Sequence, residues 1–399
     1  MAKILFTWEL GQGVGHCAPY VRLIAGLQEA GHEVSFALRY LDKANAVFGP
    51  LRTRIYQAPY IPPQHVATIT PVNSFARILH NNGYDSVAHL LSLVDAWGNL
   101  IDLIEPDLVV FDYSPTAMLA ARDQQIARLA IGTGFHLPPR CQPMPGFHDK
   151  WRPELVDPQL LTFENTLLQT INTALAQRGI SQLDCVAALF DATPTVLRTV
   201  PEMDHYGARP DGNYVGVFTA MGGAQPIWPE TSGPRIFAYL KMFPTLPELL
   251  GHLRERDCPT LIYGDNLPAE ITQKFASPSL NFLSAPLDLS AVADTAGLAI
   301  GNGTHGTTTE LLLAGVPQLM LPLYGEQEIV ANNVQRLGAG LSAPRRLPKP
   351  MVTKLQELLS NPSYRAAARS VAEVHRARAG ESPSSAMRTF INNVLAAKI

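Results

Sequence analysis

The sequence predicts an α/β protein built from two doubly wound, Rossmann-like parallel sheets. Three observations carry that expectation. Short apolar runs alternate with segments of helical period along most of the 399 residues. Two Gly-rich turns, one at 11–16 and one at 301–306, each lead from an apolar run into a helical segment. A Pro- and Gly-rich stretch at 218–234 interrupts the alternation, which then restarts. Strands that alternate with helices imply parallel sheets covered on both faces. The predicted layout is an N-terminal domain at 1–217, a linker at 218–234, a C-terminal domain at 235–379 and a final helix at 380–399. Ligands of open α/β sheets bind beyond the carboxyl ends of the strands, so a cleft faced by two such sheets is where function is expected.

In the first half, residues 4–6 read as a buried strand and Gly11, Gly13 and Gly15 as a flexible turn. Leu23, Ile24, Leu27 and Ala30 repeat at helical spacing, and Gly31 ends that helix. A second strand follows at 34–38. The pattern then predicts a helix at 90–104, broken by Pro106, and a strand at 108–111 that ends at Asp112. A helix at 116–125, a strand at 129–131, a long loop at 138–158 and a helix at 160–177 come next. Apolar runs at 196–197 and 214–217 close the half. In the second half, strands are expected at 235–240, 260–263, 298–300 and 318–321. Helices are expected at 247–256, 289–295 and 308–314, from Ile329, Val352 and Tyr364, and at 383–397.

Composition excludes several function classes. Apolar residues are 46% and charged residues 16%, enough for a large core and unlike a disordered chain. A net charge of −3 leaves no electrostatic footprint for nucleic acid. No run of 18 uninterrupted apolar residues predicts a membrane span; Phe48, Leu51, Arg52 and Arg54 form the only faint apolar and basic patch. The apolar run at the N-terminus is too short for a signal peptide. Cys17, Cys141, Cys185 and Cys258 lie far apart, with no zinc spacing and no disulfide framework. The expectation is a reduced, cytoplasmic protein without a metal, as a monomer or a homodimer.

The first Gly-rich turn does not complete a dinucleotide fingerprint. His16 stands where the last glycine belongs, and Arg39 stands where an acidic ribose ligand would end the second strand. An NADP-type reading survives only through Arg39. His16 enters a helix at the carboxyl end of the first strand, where a helix dipole favours a neutral imidazole able to act as a base. It could equally cap the helix. Asp112 falls on the same rim and either orients His16 or caps the helix after it. The second turn, with Thr304, Thr307 and Thr308, suits a phosphate through its backbone N–H groups and hydroxyls, or is simply a strand–helix turn that needs glycine. It is not an ATP-binding loop, because Thr307 stands where lysine must be. Glu326 and Gln327 follow the next strand, where a carboxylate beside a carboxamide suits vicinal sugar hydroxyls.

Together these residues resemble the GT-B glycosyltransferases, in particular bacterial relatives of the UDP-glycosyltransferase family that act on small lipophilic acceptors. The segment from Gly301 to Leu341 is similar to that family's donor-binding segment, and Gly15-His16-x-x-Pro19 with Gly31-His32-Glu33-Val34 resembles its opening. The resemblance implies two facing Rossmann-like domains, with the last helix crossing back to the first. It also implies inverting, metal-independent transfer from a UDP- or TDP-sugar, with no cofactor beyond that co-substrate, as in natural product glycosylation. In it, His16 is the base and Asp112 its orienting partner. The implied donor site takes in Gly13, Gly15, Asn302, Gly303, Thr304, His305, Gly306, Thr307, Thr308, Glu310 on the ribose, and Glu326 and Gln327 on the sugar. Asn302 replaces the family's diphosphate-contacting histidine, with His305 three residues on as a substitute. Ser284 stands where plant members stack a tryptophan on the base. Lys241, where many members have a Gly-Ser turn, either meets the leaving diphosphate or is a surface lysine. Phe75, Tyr84, Phe135, His136, Phe147 and Trp151 are candidate acceptor walls. A retaining transferase would want a carboxylate at Gln318. A nucleotide-sugar epimerase or hydrolase, or a degenerate member acting as a binding or activating partner, are the alternatives.

Overall fold

The computed structural model describes residues 1–42, 44–147, 157–191, 193–218, 222–377 and 380–397. The chain divides into two compact units, Met1–Phe218 with Glu381–Ile399, and Thr219–Gly380. The first unit runs β1 (Lys3–Trp8), α1 (Val21–Glu29), β2 (Glu33–Leu38), α2 (Ala44–Phe48), β3 (Arg54–Gln57), α3 (Phe75–Leu79), α4 (Val87–Ile104), β4 (Leu108–Asp112), α5 (Pro115–Ala120), β5 (Ala127–Gly132), α6 (Pro158–Ala176) and β6 (Thr195–Leu197). Its six parallel strands are ordered β3-β2-β1-β4-β5-β6.

Alternate residues of each central strand enter opposite cores, as the pleat demands. Leu5, Val109, Phe111 and Ala130 pack with Leu90, Trp97 and Ile101 of α4 on one face. Ile4, Phe6, Phe36, Val110 and Leu129 pack with Leu23, Ile24 and Leu27 of α1 on the other. Among the described residues, α4 is the one helix long and apolar enough to cross a membrane, with mean hydropathy 1.3. Here its apolar stripe serves the core. Phe48 also turns inward, 5.3 Å from Phe36, which dissolves the apolar patch expected around it.

The second unit runs β7 (Ile236–Lys241), α7 (Leu246–Arg256), β8 (Thr260–Asp265), α8 (Ala269–Phe275), β9 (Leu280–Leu283), α9 (Leu289–Thr295), β10 (Leu298–Gly301), α10 (His305–Leu313), β11 (Gln318–Met320), α11 (Gly325–Arg336), β12 (Gly340–Ser342), α12 (Pro348–Ser360) and α13 (Ser363–Ala377). The sheet order is β12-β11-β10-β7-β8-β9, again all parallel. The last helix, α14 (Pro383–Ala396), returns to the first unit, where Met387 and Ile391 complete the core beside α1.

Several expectations need correction. The stretch expected as a linker at 218–234 is in large part a strap on the second unit. Ala224 bridges Leu287, with hydrogen bonds to Pro286 and Asp288, and Trp228 Nε1 donates to Thr295. The helix expected at 116–125 stops at Ala120, where Arg128 donates to the carbonyl of Arg122 at 2.6 Å and satisfies the chain without another turn. Of 214–217, Tyr214 alone bridges the sheet, at Leu197. Helix α10 begins at His305 rather than at residue 308. Residues 148–156, within the long loop expected at 138–158, lie outside the described residues.

Replacing Ile391 by alanine should cost about 3 kcal/mol, because it opens a cavity under α14 that the sheet cannot fill. Urea unfolding of wild type and variant, followed by tryptophan fluorescence in a Trp228→Phe background so that the signal comes from the first unit, checks this.

Candidate active site

In the first unit the strand order reverses between β1 and β4, which lie side by side with Trp8 opposite Asp112. Such a reversal sends the two following loops apart and leaves a crevice at the strand ends. Asp112, the last residue of β4, is 1% exposed. His16 closes a short 3-10 turn after β1, and its Nδ1 lies 3.2 Å from Asp112 Oδ1. The Tyr20 hydroxyl donates to Oδ2 at 2.8 Å. Arg198 donates through Nη2 to Oδ2 and to the carbonyl of Gly15, each at 3.2 Å. Burial alone would push the Asp112 carboxyl up. The Arg198 guanidinium, His16 and the two side-chain hydrogen bonds outweigh burial and hold it below the usual carboxylate range.

An ionised carboxylate has only acceptors, so the neutral form of the His16 ring carries its proton on Nδ1 and its lone pair on Nε2. The local backbone keeps that nitrogen clear. Gly11 has φ +84°, and a Cβ there would stand 2.8 Å from Nε2. Helix α1 begins only at Val21. The partner that fixes the His16 tautomer is therefore Asp112, not the helix end expected from the sequence.

Aromatic rings surround the pair. Trp8 stacks on His16 at 5.3 Å, and Tyr113 stacks on His136 at 4.3 Å. His136, expected as an acceptor wall, sits 4.8 Å from the His16 ring, with its Nδ1 3.8 Å from Asp112 Oδ1. His16, Asp112 and His136 each bring one possible metal-ligand atom within 4.8 Å of the others. The guanidinium of Arg198 on the same carboxylate opposes a cation there. Phe135 is buried 4.8 Å from half-buried Phe147. Phe75 and Tyr84 are core residues, each 1% exposed. The Tyr84 hydroxyl is bound 3.0 Å from Thr116, which also bonds Glu9, whose carboxyl burial pushes up to about 7. These two rings do not present an open wall. Trp151 lies outside the described residues.

The second unit's order reverses between β7 and β10, and the Gly-rich turn leaves the end of β10 at that point. Gly303 has φ +79°, and a Cβ there would stand 2.8 Å from the carbonyl of Gln327, so only glycine fits. Thr304 and Gly306 are exposed and Thr307 is half-buried around the start of α10. Thr308 and His305, expected to reach a phosphate, are instead buried, because the helix starts earlier and turns them inward. Asn302 is buried, and Arg345 Nη2 donates to its Oδ1. Glu310 is half-buried and accepts from Ser290 Oγ at 3.4 Å; burial pushes its carboxyl up to about 7. Gln327 is 4% exposed, and its Oε1 accepts from the N–H of Leu323 at 2.9 Å, so its carboxamide oxygen is already engaged. Glu326 beside it is half-buried. Lys241 is exposed at the end of β7. Ser284 is exposed just past β9, an edge strand. Gly13 and Gly15 belong to the first unit's turn.

Sequence reasoning missed Trp8, Tyr20, Arg198 and Arg345. Tyr20 follows His16 at helical spacing, and Arg198 directly follows β6, so both carried a usable signal. Nothing local distinguishes Arg345 from Arg346 beside it.

Residues 279–388 match the family model described as Erythromycin biosynthesis protein CIII-like, C-terminal domain. The chain is 26% identical over 398 residues to a PGL/p-HBAD biosynthesis rhamnosyltransferase of Mycobacterium bovis (strain BCG / Pasteur 1173P2), covering 93% of this chain and 84% of that one. Its fold matches glycosyltransferase VinC in complex with DTDP at a TM-score of 0.69, 17% identity and 99% of each chain. It matches the spinosyn rhamnosyltransferase SpnG complexed with spinosyn aglycone at 0.65 and 17% identity, over 98% of this chain and 100% of that one. The fold is GT-B: two six-stranded parallel sheets with flanking helices.

Asp112 is held ionised by the fold, so its contribution to stability is present above the unfolded carboxylate pKa near 4 and is lost as pH falls through its depressed folded value. Asp112→Asn should lower the melting temperature at pH 7 and flatten the fall in stability below pH ~4. Thermal melts from pH 7 to 3 read both effects.

Proposed function

We propose that this chain, similar in sequence and fold to GT-B, family 1-like glycosyltransferases, is an inverting enzyme that moves a sugar from a nucleoside diphosphate sugar to a hydroxyl of a small lipophilic acceptor. The observation that carries this reading is the His16–Asp112 pair at the first unit's switch point, 3.2 Å apart and held by Tyr20 and Arg198. His16 Nε2 takes the acceptor's hydroxyl proton as that oxygen attacks the anomeric carbon. The nucleoside diphosphate leaves from the opposite side, which inverts the centre. Asp112 stabilises the imidazolium formed and keeps the ring in its productive tautomer.

The second unit supplies the donor site in this reading. The turn after β10 and the first N–H groups of α10 meet the diphosphate, with Thr304 and Thr307 as hydroxyl donors. Charge developing on the leaving group is met by these dipoles, so no metal is assigned a step. Glu310 holds the ribose and Glu326 the sugar. VinC in complex with DTDP supports a thymidine diphosphate donor, and the mycobacterial rhamnosyltransferase supports a rhamnose-type sugar as the first to try. SpnG with its aglycone and the half-buried ring of Phe147 support a lipophilic acceptor.

His16→Ala should slow transfer by roughly 10²- to 10⁴-fold while leaving thymidine diphosphate binding unchanged. Transfer that survives the substitution removes the base assignment, and a wild-type protein that binds the nucleotide but never turns over favours a binding role. Glu310 titrates near 7 in the folded protein and accepts a ribose hydroxyl best when ionised. Affinity for thymidine or uridine diphosphate should therefore rise with pH across that value. Glu310→Gln should flatten this rise in calorimetric titrations at pH 6 to 8.

A further inference from the structure

The second unit holds a buried cation that none of the family's expected roles uses. Arg345 follows β12 and is 5% exposed. Its Nε donates to the carbonyl of Leu321, its Nη2 to Asn302 Oδ1, and its guanidinium carbon lies 5.0 Å from the Phe243 ring centroid. Thr245 fixes the Arg345 carbonyl from the other side. The guanidinium is thus clamped at the rim where β10 and β11 end. Among the described residues no carboxylate pairs with it, and its Nη1 is buried without a hydrogen-bond partner. Burial lowers its pKa to about 10, so it is still charged at neutral pH. A buried cation with no counterion and an orphaned donor is costly, and an anion placed beside it removes that cost.

We propose that Arg345 is the cationic member of the diphosphate site, acting on the ligand through Asn302. The guanidinium has no acceptor atom, so the Asn302 carboxamide must face it with Oδ1 and present its NH₂ elsewhere. That fixes two polarised donors at the Gly-rich turn, next to the start of α10. The pair supplies what a charged residue at position 302 would supply alone: N–H donors backed by a full positive charge. Asn302 is therefore not a loss of function at this position but half of a two-residue replacement. Arg345 is a positioning residue, and its field acts on the β-phosphate rather than on the base or ribose.

This inference rests on the nucleoside diphosphate reading of the turn, and calorimetry with two probes separates the two. Wild-type protein is titrated with thymidine diphosphate and with thymidine, beside Arg345→Met, Arg345→Lys and Asn302→Asp. Arg345→Met should weaken thymidine diphosphate binding by about tenfold or more, the worth of one charge-assisted contact, and leave thymidine unchanged. Arg345→Lys should recover part of the loss. Asn302→Asp gives Arg345 a counterion inside the protein, so it should raise the melting temperature while costing diphosphate affinity by a similar factor. That variant keeps the test open if Arg345→Met fails to fold. Equal losses for both probes, or unchanged diphosphate binding in Asn302→Asp, overturn the role of Arg345. Wild-type protein that binds neither probe overturns the donor reading itself.

Discussion

One buried carboxylate organises the first unit's site. Asp112 is reached by His16 from the loop after β1, by Tyr20 from the start of α1 and by Arg198 from the end of β6. Two distant stretches of chain, at 16–20 and at 198, are thereby tied to the end of β4 at the sheet's rim. A buried anion with no cation would take up a proton, and a protonated Asp112 would no longer dictate which nitrogen of His16 carries hydrogen. The charge of Arg198 is what prevents this. The His16–Asp112 pair is thus a pair only in name, since its geometry and charge depend on the guanidinium and the phenol as well as on the imidazole.

The two units reach opposite electrostatic states at the same topological position. Each sheet reverses its strand order beside its first strand, and each places its polar residues there. In the first unit a buried anion is fully met by donors. In the second a buried cation faces one carbonyl, one carboxamide and an aromatic ring, and no anion among the described residues. A satisfied anion suits a residue that must hold a proton in place. A cation with spare capacity suits a site whose anion arrives with the substrate.

The central strands were legible because burial on both faces writes them as unbroken apolar runs: 4–6, 108–111, 129–131 and 298–300 all fall inside observed strands. Of the four edge strands, β6 showed as the apolar run at 196–197, but β3, β9 and β12 were not legible. Each is short and half-exposed, so the run that would betray it is diluted by polar residues. The site divides in a similar way. His16 and Asp112 follow strands and announce themselves by position. Tyr84 and Phe75 look like pocket walls in the sequence but are core, because aromatic composition alone does not say which face of a helix or loop is turned inward. Arg345 reaches Asn302 across 43 residues of chain, and only the parallel pairing of β10 with β11 and of β11 with β12 brings them to one rim. That kind of proximity is written in topology and not in spacing.

The return of α14 to the first unit also sets the order in which the molecule can be made. The first unit is discontinuous: its sheet is complete by Leu197, yet Met387 and Ile391 of its core emerge from the ribosome only after all of 219–380. The second unit is one continuous stretch and can close as it appears. During synthesis the face that α14 covers, beside α1 and along β5, therefore stays open for the whole time the second unit takes to be translated. The nascent chain is most vulnerable to aggregation over that interval, and the half made first is the half finished last.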